Sequence, residues 1–159
     1  MKRLRNEDGS VSVYTVFFLL SFIILLALFM TWTGTEVTML RVRNAMQVEL
    51  NNLAIRISDD TYQAMRENNL DAYCERLTTS TVYQNELLGM VRDHLTQEIA
   101  EETETYRLSD LKLSFQTEDD CIVYTLTCDV DCYLSLFGEP VTVRAEQLSL
   151  SGLHNTKEY

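Results

Sequence analysis

The chain has 159 residues, 46% of them hydrophobic and 23% charged, with a formal net charge of −11. That length offers one domain beyond a membrane helix, and the acidic balance excludes nucleic acid as a partner, because basic patches supply most of that affinity. One Pro and five Gly, without a Pro-rich or Ser/Gly-rich stretch or an internal repeat, exclude a long flexible linker.

Residues 1–9 form a short basic leader carrying Lys2, Arg3 and Arg5 and ending at Gly9. From Ser10 to Thr35 there follow 26 residues without a charge. A hydrocarbon core of roughly 30 Å needs about 20 apolar residues in a helix, so residues 10–35 are read as a single transmembrane span in the lipid bilayer. Lys and Arg close to a span stay on the cytoplasmic side. The leader is therefore placed in the cytoplasm and residues 36–159 outside it, against a weaker counter-signal from Arg41 and Arg43. A cleaved secretory signal fits poorly. Its apolar region is about 7–15 residues long and ends in a small-x-small site, whereas this run is longer and is followed by Trp32-Thr-Gly-Thr-Glu36. Trp32 suits an interfacial anchor.

Beyond Thr35 the pattern becomes amphipathic. Met39, Val42, Met46, Leu50, Leu53 and Ile57 recur at spacings of three or four, with Arg41, Arg43, Asn44, Gln47, Glu49 and Asn51 between them. This predicts one helix from about Val11 to Ile57 with an apolar stripe on its outer half. Ser58-Asp-Asp-Thr61 predicts a break with capping residues, then a helix over 59–67 with Tyr62 and Met65 inward. Asn68-Asn69 predicts a turn and Leu70–Leu77 a short helix. Thr78-Thr-Ser-Thr81 predicts a cap opening a helix that carries Tyr83, Leu87, Leu88, Val91, Leu95 and Ile99 and runs to about Thr103, frayed at its acidic end.

From Leu108 the period is two. Leu111, Leu113 and Phe115 form one row, and Ile122, Tyr124, Leu126, Cys128 and Val130 a second, joined by a turn at Glu118-Asp-Asp120. A further turn at Gly138-Glu-Pro140 leads to Val141, Val143 and Ala145. Leu148 and Leu150 shift parity, which predicts a bulge near Glu146-Gln147. The expected fold is α+β: a long N-terminal transmembrane helix continuing into an amphipathic helix, short helices, and a three-stranded antiparallel sheet covered by the stripe. The tail from His154 to Tyr159 reads as loose.

The outer part, from Glu36, carries 10 Lys and Arg against 22 Asp and Glu, a net charge of −12. Placed in an oxidising compartment, its four cysteines, Cys74, Cys121, Cys128 and Cys132, suggest disulfides. In one extended strand Cys128 and Cys132 would stand about 13 Å apart, beyond the roughly 7 Å that a disulfide spans, so they pair only across a turn. The expectation is a staple from helix to sheet, Cys74 to Cys121 or Cys74 to Cys128. A metal reading of Cys128-x-x-x-Cys132 lacks the second ligand pair of a structural site, and neither a metal nor another cofactor is expected. No phosphate loop, His-x-x-x-His pair or nucleophile elbow is present, so neither catalysis nor a small-molecule substrate is expected. Asp59-Asp60 and Glu118-Asp119-Asp120 read as capping and turn chemistry.

The stretch Asn6-Glu7-Asp8-Gly9-Ser10-Val11-Ser12-Val13-Tyr14, followed by the apolar run, resembles the type IV pilin-like families, most closely the TadE-like proteins of tight-adherence (Flp) pilus systems. The resemblance covers roughly residues 5–55. It implies cleavage by a prepilin peptidase between Gly9 and Ser10, leaving the apolar helix on the mature chain. It also implies other pilus subunits or platform proteins as partners. The fifth mature position, a Glu in most pilins, is Tyr14 here, which points to a minor or initiating subunit rather than a major filament subunit. The alternative is a permanently anchored single-pass protein whose outer domain binds a protein or a surface polymer.

Overall fold

The computed structural model describes residues 8–118, 121–136 and 139–156. Helix α1 runs from Asp8 to Arg66, α2 from Leu70 to Thr79 and α3 from Thr81 to Glu98. Strands β1 (Tyr106–Glu118), β2 (Cys121–Leu136) and β3 (Glu139–Asn155) follow. The sheet is an antiparallel meander in the order β1-β2-β3. The chain divides into two units, one ending at Val37 and one beginning at Thr38, and the folded core belongs to the second.

That core is built from two periodicities. On α1, Met39, Val42, Met46, Leu50, Leu53 and Ile57 are all buried, as the spacing predicts. On β2, the alternate residues Ile122, Tyr124, Leu126, Cys128, Val130 and Cys132 are buried. Tyr73 and Leu77 of α2, and Leu87, Val91 and Leu95 of α3, join them in one apolar cluster. Each fully buried aliphatic side chain contributes about 1.5–3 kcal/mol, which is why a stripe of six holds the unit together.

The predicted break at Ser58–Thr61 does not occur; α1 continues to Arg66. Thr61 (0% exposed) and Ala64 (8%) extend the buried stripe by one more turn, so packing outweighs the capping preference of the polar residues. Tyr62, expected inward, is half-exposed at 51% because a continuous helix turns it away from Thr61 and Ala64. The predicted turn at Asn68-Asn69 is present and closes α1. Asn68 adopts φ 52°, its N–H donates to the Met65 carbonyl (3.0 Å), and the Asn69 N–H donates to the Ala64 carbonyl (2.8 Å). This is the left-handed C-terminal arrangement that Asn tolerates better than most residues.

Ser80 closes α2 and opens α3. Its N–H donates to the Arg76 carbonyl (3.0 Å), and its hydroxyl accepts from the Tyr83 N–H (3.4 Å). Gln84 Nε2 donates to the carbonyls of Leu77 (2.7 Å) and Thr78 (3.1 Å), satisfying groups that α2 leaves unpaired. Helix α3 stops at Glu98, five residues short of the expected end. The segment after it folds back on β1: the Leu108 N–H donates to the Glu101 carbonyl (2.7 Å) and the Thr103 N–H to the Tyr106 carbonyl (2.8 Å).

Strand β1 carries a bulge between Ser109 and Lys112, with Asp110 at φ 53°. On β3 the register shifts at Val143, between Cys132↔Arg144 and Tyr133↔Thr142. The parity break thus lies at Val143, not at Glu146-Gln147. Arg144 and Glu146 consequently share the face of Leu148 and Leu150, and they meet each other's charge at 2.6 Å. The expected loose tail is partly ordered: β3 extends to Asn155, His154 pairs with Ile122, and Thr156 is buried. Residues 157–159 of the predicted tail, and Asp119, Asp120 and Gly138 of the predicted turns, lie outside the described residues.

Gly152 sits opposite Tyr124, and a Cβ placed there would lie 2.3 Å from ring carbons of Tyr124. The ring covers the glycine and is itself buried, 4% exposed. Gly152→Ala should destabilise the unit by about 1–3 kcal/mol through forced displacement of that ring, read as a lower urea midpoint. Gly34→Ala, with open space around it, should leave the midpoint unchanged or raise it slightly.

Candidate functional site

The first candidate surface is the apolar part of α1. It passes both the length and the composition requirement for crossing a membrane, with a mean hydropathy of 2.7 over its most apolar window and none of that window buried. Phe17, Phe18, Leu25, Leu28, Phe29, Met30 and Trp32 are all exposed. A protein of this size does not present such a surface to water, since contiguous exposed apolar patches mark membrane or protein contacts. The hydroxyls at its outer end turn inward to the helix. Thr31 Oγ1 donates to the Ala27 carbonyl (2.9 Å), Thr33 to Phe29 (2.9 Å) and Thr35 to Trp32 (2.8 Å). These three hydroxyls are satisfied within the helix, as a hydrocarbon surrounding demands. Among the described residues one helix, near the N-terminus, is suited to a single-pass anchor.

The candidate cleavage pair, Gly9 and Ser10, lies in the first turn of α1, which begins at Asp8. The peptide bond between them is helical rather than extended. Tyr14, five residues into the chain that would remain, is 75% exposed.

All four cysteines are free thiols, so the expected helix-to-sheet staple is absent. Cys74 sits on α2 and Cys121 at the start of β2, both half-buried; Cys128 and Cys132 are both buried on the inward row of β2. The two latter residues share one extended strand, so a bond between them would require breaking it. Cys128 Sγ lies 3.5 Å from the Ser109 carbonyl oxygen, to which it donates. Burial pushes its thiol up to about 11 from the ordinary 9.0. Burial also raises the thiols of Cys132 and Cys74. Buried, protonated thiols of this kind are poor nucleophiles.

Two polar arrangements went unnoticed in the sequence. Glu49, read as part of the polar side of α1, is only 3% exposed. Its Oε2 lies 3.3 Å from His94 Nδ1 on α3, and Asn52 Nδ2 donates to its Oε1 at 3.3 Å. Spacing carried the signal: Glu49 stands three residues after Met46 and four before Leu53. The second arrangement joins the ends of α1, α2 and α3. Tyr83 donates its hydroxyl to Asp60 Oδ2 (2.8 Å), and the Arg76 guanidinium lies 4.5 Å from the Tyr83 ring centre and 5.6 Å from that of Tyr73. Asp60 is thus held by a side-chain partner 23 positions away instead of capping a helix. Burial, followed by the bond to Asp60, pushes the Tyr83 phenol up, and burial does the same for Tyr73. Neither Tyr73 OH nor Thr61 Oγ1 has a hydrogen-bond partner in the structure.

Shallow clefts open among the described residues of the second unit. The one between α3 and β1, about 250 Å³, has Arg92, Glu101 and Asp110 at its rim and Leu95, Ile99, Leu108 and Cys128 among its apolar lining. It is smaller than the 300–1,000 Å³ of ordinary small-molecule sites. Among the described residues no three His, Cys, Asp or Glu side chains stand close enough to hold a metal ion. Comparison with protein-family models, curated proteins and solved structures gives no match to this chain.

The Cys128 thiol has a testable consequence. Its proton is bound more tightly in the folded state than in the unfolded one, so its contribution to stability is complete below pH 9 and is lost as pH rises through about 11. Cys128→Ala should flatten the decline in stability across that window in urea titrations. Iodoacetamide at pH 8 should label Cys74 and Cys121 well before Cys128 and Cys132.

Proposed function

We propose that this chain is a non-enzymatic, membrane-anchored, pilin-like subunit of the TadE type, a minor component in the assembly of a tight-adherence pilus or a related secretion apparatus. Its leader lies in the cytoplasm and its acidic α+β head outside the cell membrane. The observation that carries the reading is the apolar surface from Val13 to Trp32, exposed along nearly its whole length on the same helix that supplies the buried stripe of the head. Next to it stands a basic leader ending in Gly9. The work of such a chain is mechanical, through helix packing in lipid and against neighbours, and needs no catalytic constellation. Its partners are the bilayer, a prepilin peptidase, and other pilus subunits or platform proteins. Tyr14, in place of a carboxylate, removes the charge that would pair with a neighbour's new N-terminus, which suits a minor rather than a major subunit.

A second reading is favoured by one observation. The Gly9–Ser10 bond lies inside α1, whereas a peptidase takes an extended segment. An uncut leader would make the chain a permanent single-pass anchor whose outer domain binds a protein or a surface polymer.

Mass spectrometry of the chain from its native host separates the two. Processing predicts a mature chain beginning at Ser10, and its loss in Gly9→Val. An intact leader on all of the protein overturns the processed reading. A periplasmic reporter fused after Tyr159 should be active; a cytosolic signal there overturns the orientation.

A further inference from the structure

Helix α1 carries a second stripe on the side away from the core. Leu40, Asn44, Val48, Asn51 and Ile55 recur at spacings of three and four, so they share one face of the helix over about four turns. All five are exposed, and Leu40, Val48 and Ile55 stand 56%, 47% and 64% open to solvent. The charges around them are of one sign. Between Glu36 and Asp59 the exposed charged residues of α1 are Arg41, Arg43 and Arg56. The one carboxylate of that stretch, Glu49, is buried and held by His94 and Asn52. At about 100° of turn per residue, Arg41 and Arg56 border the stripe on one flank and Arg43 on the other. Among the described residues none of these arginines forms an ion pair, although the chain holds 24 Asp and Glu. The fold thus gathers three unpaired cations around an apolar seam on a head that is otherwise strongly acidic.

We propose that the face of α1 from Leu40 to Arg56 docks an amphipathic helix of a different protein, one whose apolar stripe is bordered by Asp and Glu. The middle of a helix has no free N–H or C=O group, so an extended strand finds nothing there to pair with. Side chains spaced three and four apart form the ridges and grooves that receive another helix. Cations bordering such a seam select carboxylates on the partner, which is how flanking charges set partner choice in paired helices. The same cations exclude a second copy through this face, because Arg41, Arg43 and Arg56 would meet like charges. Asn44 and Asn51 within the seam cost some affinity and fix its register. The inference holds whether or not the leader is cut, and it does not rest on the pilin-like reading.

The test uses the full-length chain in its native membrane. A photo-crosslinking amino acid at Val48 or Ile55 should give one shared adduct. Mass spectrometry should place its far end in a segment with apolar residues at helical spacing and Asp or Glu beside them. The same crosslinker at Asn85, exposed on α3, should not give that adduct. A synthetic peptide of the segment should bind the purified chain in phosphatidylcholine nanodiscs, more weakly as salt rises. R41E/R43E should weaken that binding by about tenfold with an unchanged thermal melt, and a peptide with Lys in place of its acidic residues should then bind the variant better than the parent chain. Ile55→Ser should weaken binding at every salt concentration. An adduct to lipid, to a second copy or to a segment without acidic residues overturns the proposal. So does the absence of any adduct, or a peptide affinity untouched by R41E/R43E.

Discussion

The fold depends on one meeting of two periodicities. A helix repeats every 3.6 residues and a strand every two, and the head exists because α1 and β2 both concentrate their apolar residues on one side. Met39 to Ile57 supply the helical side and Ile122 to Cys132 the strand side of a single buried cluster. The remaining elements complete that enclosure. Helices α2 and α3 place Leu77, Leu87, Val91 and Leu95 in the same cluster. Strands β1 and β3 supply the hydrogen bonds that let β2 be buried without leaving its backbone unpaired.

Where this pairing of stripes dominates, the sequence was a reliable guide. All six stripe residues of α1 and all five named inward residues of β2 are buried, because periodic apolar residues leave little freedom over which face turns inward. The Asn68 turn and the Ser80 cap were also readable, since each rests on local chemistry. Errors arose where tertiary contacts overrode local preference. Ser58-Asp-Asp-Thr61 has the composition of a helix start, yet Thr61 is wholly buried within α1 and Asp60 is engaged by Tyr83. Glu49 looked like a surface residue until His94 and Asn52 came within reach of its carboxylate. These partners lie on other turns or other elements, and neither type nor spacing names them. The bulge was foreseen from the parity change but misplaced by three residues, because nothing in the pattern says which residue of the irregular stretch goes unpaired.

The candidate site divides in the same way. The apolar surface of α1 was legible because composition alone sets its solvent: a helix with no buried residue in its most apolar window is made for lipid or for apolar neighbours. The thiols were not legible in that sense. Four cysteines expected on the outer side of a membrane suggested crosslinks by compartment, an argument about oxidants rather than about distances. The structure gives two of them the role of small apolar residues in a strand, where Cys is among the side chains most often buried.

Ser80 has a mechanical consequence. The same residue gives its N–H to the end of α2 and its hydroxyl to the beginning of α3, and Gln84 reaches back across the joint. No slack residue separates the two helices, so they are geared together: neither can lengthen, rotate or unwind at this joint without loosening the terminus of its neighbour. The pair is expected to open as one cooperative block, a stiff elbow laid against β1.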